Sequence, residues 1–197
     1  MGITQTITGQ IITLCWIVFI VYWIVSALKV KRTVERRANW WWRIPPIAAL
    51  VIILILEGSR GTLSESVLAI LWPFGYANLT VGIIADIITI SGLAVAIWSR
   101  ITLSGNWDFG ATIKEDHELI KRGPYSCVRH PIYSGLLLMF LGSVTWYGRV
   151  AGFIFIASAF TGYWIKLVSE ETLMMELFPN EYPEYKKKVK ALIPFVF

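Results

Sequence analysis

Long apolar runs with almost no charge constrain this chain more than any other feature of its sequence. A hydrocarbon core about 30 Å thick is crossed by about 20 mostly apolar residues in helical form. Five runs approach that length, and Asp86 is the only acidic residue within them. They cover residues 11–28, 40–56, 79–98, 131–147 and 150–168. The sequence therefore predicts an all-α, multi-pass integral membrane protein with about five transmembrane helices.

The composition agrees with this fold class. Of the 197 residues, 56% are hydrophobic and only 16% are charged, whereas soluble domains carry about a quarter charged residues. The last two apolar runs are separated only by Gly148 and Arg149 and should form a tight helical hairpin. The segment 63–76 is apolar but short and contains Glu65 and Pro73, so we interpret it as interfacial or re-entrant.

The distribution of positive charge predicts the orientation. With five spans, sixteen of the eighteen Lys and Arg residues fall on one side of the membrane, and only Arg60 and Arg149 fall on the other. The positive-inside rule then places the N-terminus outside and the C-terminal tail in the cytoplasm. The net charge of +5 is thus explained by membrane orientation and predicts no nucleic-acid partner. The two cysteines, Cys15 and Cys127, form neither a disulfide framework nor a metal-ligand set, and we expect no metal.

A first candidate for chemistry is the segment that leads into the fourth run. Pro131 stands where the helix should begin, and the unpaired N–H groups after it could seat a carboxylate or phosphate. His130 and Tyr133 are three residues apart and can point to one ligand. An ordinary start of a helix with an interfacial tyrosine would show the same residues, so this segment alone leaves both interpretations open.

A second candidate lies at the end of the fifth run. Lys166 and Glu170 are one helical turn apart, and Glu171 follows. Ionisable side chains within or near the membrane-spanning region usually face a protein interior or a water-filled cavity. The hairpin brings these residues next to His130 and Tyr133, so the combined site could hold a zwitterion with an amine and a carboxylate. A Lys–Glu pair in the headgroup zone is the alternative.

In its C-terminal half the chain resembles the isoprenylcysteine carboxyl methyltransferase and phospholipid methyltransferase superfamily. The matching residues occur in a fixed order around the hairpin: Gly105-Asn106-Trp107, His117-Glu118-Leu119-Ile120, Gly123-Pro124-Tyr125, Arg129-His130-Pro131-Ile132-Tyr133-Ser134-Gly135, Glu170-Glu171, Leu177-Phe178, Glu181-Tyr182, Tyr185 and Ile193-Pro194. The resemblance divides the chain into N-terminal transmembrane helices, 1–98, and a methyltransferase core, 99–197.

The resemblance also implies a cofactor and the residues around it. The cofactor would be S-adenosyl-L-methionine in a cytoplasmic pocket, and Lys166 falls where carboxyl methyltransferases of the family place a substrate-binding Arg. The implied cofactor-binding set is His117, Glu118, Leu119, Ile120, Tyr125, His130, Pro131, Ile132, Tyr133 and Glu170.

The methyl acceptor decides which further group is needed. A carboxylate is ionised at neutral pH and needs no base, whereas an amine must lose a proton, for which Glu171 is the candidate base. We predict carboxyl O-methylation of a lipid-linked, isoprenylcysteine-like substrate that enters sideways from the bilayer. The alternatives are a phospholipid (ethanolamine) N-methyltransferase, a sterol-reductase-like enzyme, which would need a basic cluster for NADPH, and a non-catalytic membrane scaffold or transporter.

Overall fold

The structure, a computed structural model, describes residues 3–28, 30–37, 40–58, 78–107, 111–115, 118–147 and 150–194. Six α-helices lie in these ranges: α1 (Ile3–Ala27), α2 (Ile44–Gly58), α3 (Leu79–Leu103), α4 (Pro131–Tyr147), α5 (Val150–Leu177) and α6 (Tyr182–Lys188). Short 3-10 helices cover Trp41–Arg43, Ser104–Asn106 and Gly123–Ser126. The segment 63–76 lies outside the described residues, so its interfacial or re-entrant character stays a prediction.

All five predicted runs are helical. Within the described part of the chain, three segments are long and apolar enough to cross a membrane: Ile7–Ala27, Leu79–Asn106 and Gly152–Leu177. Pro131–Tyr147 is equally apolar but shorter. Large apolar side chains such as Ile24 and Ile87 are more than half exposed, as expected for helices that face lipid. The protein is an integral membrane protein, and the number of five spans stays a prediction.

Helices α3 and α4 are packed backbone to backbone through glycines. A Cβ added at Gly135 would lie 2.7 Å from the carbonyl oxygen of Gly92, and one at Gly142 would lie 2.6 Å from that of Ala85. Small residues at such positions allow helices in a membrane to approach closely. This pair forms the rigid side of the site described below.

Helix α1 packs against the α3–α4 pair with one aromatic face. Trp16, Phe19 and Trp23 follow the i, i+3, i+7 spacing of a single helical face. Helix α2 and the 3-10 helix before it pack on α5 at Gly162, where an added Cβ would meet the Trp42 carbonyl oxygen at 2.5 Å.

A two-stranded antiparallel sheet joins the two halves of the chain, a feature that the all-α prediction lacked. Strand β1 (Thr33–Arg37) pairs with β2 (Ala111–Lys114). The C-terminal tail then returns to the segment before α4: the Arg129 amide donates to the Lys190 carbonyl (2.8 Å) and the His130 amide to the Ala191 carbonyl (2.9 Å). The motif that leads into α4 is thereby held by the tail.

Candidate active site

A cavity of about 430 Å³ lies between α1, α4, α5 and the tail. Its volume falls within the range of about 300–1,000 Å³ that is typical of small-molecule sites. The cavity wall has two parts. The connecting segments and the tail form the first part, which includes Glu118, Tyr125 and Tyr185. The other part, which we call the apolar arm, is lined by Trp16, Phe19, Trp23, Leu136 and Phe140 of α1 and α4. Polar side chains concentrate where the two parts meet.

Glu170 is the centre of this polar junction. Tyr133 Oη donates a hydrogen bond of 2.7 Å to Glu170 Oε1, and His130 Nδ1 lies 3.5 Å from Glu170 Oε2. The rings of His130, Tyr133 and Tyr163 are stacked nearly parallel, with centroids 5.6 and 5.0 Å apart. The spacing of His130 and Tyr133 along the first turn of α4 puts both on one side, facing α5.

Glu171 points away from Glu170 into a second ionic cluster. Arg129 Nε donates to Glu171 Oε1 at 2.7 Å, and Lys186 Nζ lies 2.6 Å from Glu171 Oε2. His130 Nε2 is 3.4 Å from Glu171 Oε1, so the imidazole lies between the two carboxylates. Arg129 also donates to the carbonyl of Val189. Because buried charges are tolerated when they are paired and hydrogen-bonded, this cluster fixes the tail against α5.

The two carboxylates control the protonation of His130. Burial alone would lower the pKa of this imidazole, but the hydrogen bonds and charges of Glu170 and Glu171 outweigh burial and raise the pKa above 6.5. Burial also raises the pKa of Tyr125 well above its usual range, so its hydroxyl is neutral. The imidazole thus lies between two carboxylates that favour its protonated form.

Lys166 lies one turn before Glu170 and is also part of the cavity wall. Its Nζ is 3.7 Å from Glu170 Oε1, 4.7 Å from the centroid of the Trp42 ring and 5.1 Å from that of Tyr133. Cations are attracted to aromatic faces at these distances. Only 10% of the side chain is exposed, so its charge is directed at the cavity instead of the bulk solvent.

Arg100 supports the opposite wall. Its Nη1 and Nη2 donate to the carbonyls of Ser104 (2.6 Å) and Ser26 (2.7 Å), at the ends of α3 and α1. The guanidinium also stacks on the ring of Trp107, 4.5 Å from its centroid. The neighbouring Asn106 lines the cavity, and its buried Oδ1 accepts no hydrogen bond from any described residue.

Most of the predicted site residues meet at this cavity. The predicted residues in its wall are Glu118, Leu119, Ile120, Tyr125, His130, Ile132, Tyr133, Lys166 and Glu170. Pro131 and Glu171 are buried but lie behind the wall. His117 lies outside the described residues, so its role stays a prediction. In the described part of the chain no group of three or more His, Cys, Asp or Glu residues could hold a metal.

Several wall residues were not in the predicted set. Trp42, Tyr163, Trp16 and Phe140 come from apolar runs, where an aromatic residue in a cavity wall looks like any lipid-facing one. Arg129 was visible in the motif, but its partner Glu171 is 42 residues away, and no local spacing indicates that pair.

The sequence matches a known protein family over the region that forms most of this site. The sequence profile of the phospholipid methyltransferase family matches residues 80–181, just over half of the chain. The chain belongs to the phospholipid methyltransferase family. The matched region runs from α3 through the hairpin to the residue before α6, and it contains His130, Tyr133, Tyr163, Lys166 and Glu170.

Curated relatives of this family member include protein-S-isoprenylcysteine O-methyltransferases and a methanethiol S-methyltransferase from Bradyrhizobium diazoefficiens, 36% identical over 72 residues, which are 36% of this chain and 24% of the relative. The protein-S-isoprenylcysteine O-methyltransferase from Saccharomyces cerevisiae is 36% identical over 84 residues, which are 42% of this chain and 35% of the relative. A probable protein of that name from Oryza sativa subsp. indica is 29% identical over 126 residues, 64% of this chain and 63% of the relative. The chain therefore covers about a quarter to two thirds of the length of these relatives.

A solved structure shares the fold. A eukaryotic intramembrane isoprenylcysteine carboxyl methyltransferase superposes with a TM-score of 0.52 at 20% sequence identity. The superposition covers 81% of this chain and 55% of the other. It supports the membrane architecture of this family member.

Proposed function

We propose that this family member is an S-adenosyl-L-methionine-dependent methyltransferase that esterifies the carboxylate of a lipid-linked, isoprenylcysteine-like acceptor. The observation that supports it most is the position of Lys166, a cation on the cavity wall where the polar junction meets the apolar arm. A lipid-linked acceptor is arranged in a matching way, because its apolar tail fits the apolar arm and its terminal carboxylate fits the positive charge of Lys166.

The residues of the junction are suited to a cofactor that carries an ammonium, a carboxylate and a sulfonium. When bound, the cofactor supplies a methyl group on positively charged sulfur, and the new C–O bond forms as the S–C bond breaks. Glu170 would bind the ammonium, the His130 imidazole would bind the carboxylate, and the Tyr163 ring, which stacks on Tyr133, would face the positive sulfur. The free acceptor Asn106 Oδ1 fits an amino donor on the cofactor.

Lys166 would then receive the acceptor carboxylate. Its Nζ is close enough to Glu170 and Tyr133 to place that carboxylate beside the cofactor-binding residues. Holding two reactants in one orientation is a large part of catalysis when the nucleophile is already ionised. Glu171 would act through other residues, because it lies behind the wall with Arg129, Lys186 and His130 around it.

N-methylation of an ethanolamine phospholipid is the second candidate. Glu170 and the ring of Tyr163 could also bind a cationic head group. This function needs a base that removes a proton from the amine. The position of Lys166 disfavours N-methylation, because its positive charge in the cavity wall would repel a protonated amine.

The site is proposed to face the cytoplasm, with the acceptor entering sideways from the bilayer. Calorimetric titration with S-adenosylhomocysteine, followed by labelled-methyl transfer to S-prenylcysteine and to ethanolamine lipids, tests the function. We expect saturable binding and transfer to S-prenylcysteine. Absence of binding contradicts the cofactor assignment, and transfer to the lipid alone contradicts the acceptor assignment.

A further inference from the structure

The apolar arm leads away from the polar junction along α1 and α4 and ends at an aromatic barrier. On the α4 side, Leu136 and Phe140 line it, following Tyr133 at the polar junction, and on the other side Trp23, Phe19 and Trp16 of α1 line it. The ends of both series are seven residues apart, which is about 10 Å of helix at 1.5 Å per residue. The arm is therefore an apolar slot about 10 Å long.

Trp16 is the end of this slot. Its ring centroid is 5.0 Å from that of Phe140, which in turn makes an edge contact with Phe155 at 5.1 Å. On its other side Trp16 packs against a separate core cluster of Ile12, Ala85 and Trp146, and none of these three residues lines the cavity. The cavity therefore ends where this second cluster begins.

The Trp16 ring is also fixed in place. Its Nε1 donates a 3.0 Å hydrogen bond to Ser143 Oγ, which lies on α4 one turn beyond Phe140. A ring that packs on one side and is hydrogen-bonded across to the other helix cannot swing aside without leaving an indole N–H unpaired in an apolar surrounding. The hydrogen bond to Ser143 and the ring contact with Phe140 thus hold the indole at the end of the arm.

We propose that Trp16 sets the maximum length of the acceptor's apolar chain. This inference rests on the proposed function, since it assigns the arm to the tail of the acceptor. For a compound supplied from water, each methylene that enters the arm strengthens binding about fourfold, until the chain reaches the indole ring. Carbons beyond that point contribute nothing to affinity.

Binding of a homologous series of N-acetyl-S-alkylcysteines, from hexyl to hexadecyl, tests the inference by calorimetry on the full chain. In the wild type, affinity should rise with length and then stop rising. Trp16→Ala should move that break to longer chains and bind the longest compounds at least about tenfold more tightly than the wild type. Leu136→Phe, which narrows the arm closer to the junction, should move the break to shorter chains.

Trp98→Ala is the matched control, because Trp98 lies on α3, is 57% exposed and is absent from the cavity wall. It should keep the wild-type break. An unchanged break in both Trp16→Ala and Leu136→Phe, or a wild type whose affinity ignores chain length, overturns the inference. Because the readout is binding, a length-dependent wild type that transfers no methyl group would leave the arm established and refute the proposed function alone.

Discussion

At the scale of single residues, the Glu170 carboxylate is the point on which the proposed cofactor site depends. It accepts a hydrogen bond from the Tyr133 hydroxyl and lies beside His130 and Lys166. Side chains from α4, from the residue before α4 and from α5 therefore meet there. We expect His130→Ala, Tyr133→Ala and Glu170→Ala each to weaken S-adenosylhomocysteine binding. A lost hydrogen bond to a charged group costs about 1.5–3 kcal/mol, roughly ten- to a hundredfold in affinity.

Calorimetry on the purified variants measures this effect. Tyr147→Ala is the control, since Tyr147 is 56% exposed at the far end of α4. Wild-type affinity in all three junction variants would show that the cofactor binds elsewhere.

The charge of Lys166 should act on the acceptor and leave the cofactor site intact. We expect Lys166→Met to reduce methyl transfer to S-prenylcysteine at least tenfold while S-adenosylhomocysteine affinity changes little. Lys166→Arg should keep activity, because the charge remains and a guanidinium binds carboxylates through two hydrogen bonds. If Lys166→Met kept full turnover on an ethanolamine lipid, phospholipid N-methylation would replace carboxyl methylation as the proposed function.

At the scale of helices, the glycines between α3 and α4 determine how close the two backbones lie. A Cβ at Gly135 would meet the Gly92 carbonyl oxygen and the Ala96 nitrogen, both backbone atoms that cannot rotate away. Gly135→Ala should therefore destabilise the protein by about 1–3 kcal/mol through overpacking. Thermal unfolding in detergent measures this, with Ser91→Ala on the exposed face of α3 as the control; equal stability of the two variants would contradict the close packing.

The helices could be predicted because each depends on a continuous apolar run. Their ends could not, because polar residues extend them: α5 continues past the predicted residue 168 to Leu177, through Glu170 and Glu171, which are good helix formers. The β1–β2 sheet escaped prediction because Thr33–Arg37 is short, charged and lacks alternation, and its partner lies more than 70 residues away.

In the site, too, local pairs of residues could be predicted and contacts between distant segments could not. His130 and Tyr133, and Lys166 and Glu170, were predictable as pairs because helical spacing puts three or four residues on one side. Trp42 against Lys166 and Arg129 against Glu171 are contacts between distant segments, set by how α2 and the tail pack. Sequence periodicity contains no information about such contacts.

At the scale of the whole molecule, the predicted orientation puts the tail and the polar junction in the cytoplasm. A Cys127→Ser background removes the exposed native thiol. In it, Ser64→Cys and Lys187→Cys should react with a membrane-impermeant maleimide from opposite faces. Lys187 is 71% exposed, and Ser64 lies outside the described residues. Labelling of both cysteines from one face would contradict the five-span topology.

The chemical nature of the methylated product tests the central claim most directly. Purified protein in lipid bilayers that contain both S-prenylcysteine and an ethanolamine phospholipid would be supplied with S-adenosyl-L-methionine labelled in its methyl group. A carboxyl methyl ester releases its label as methanol in base, whereas an N-methyl group keeps it. The account predicts base-labile label on S-prenylcysteine, and base-stable label confined to the phospholipid would contradict it.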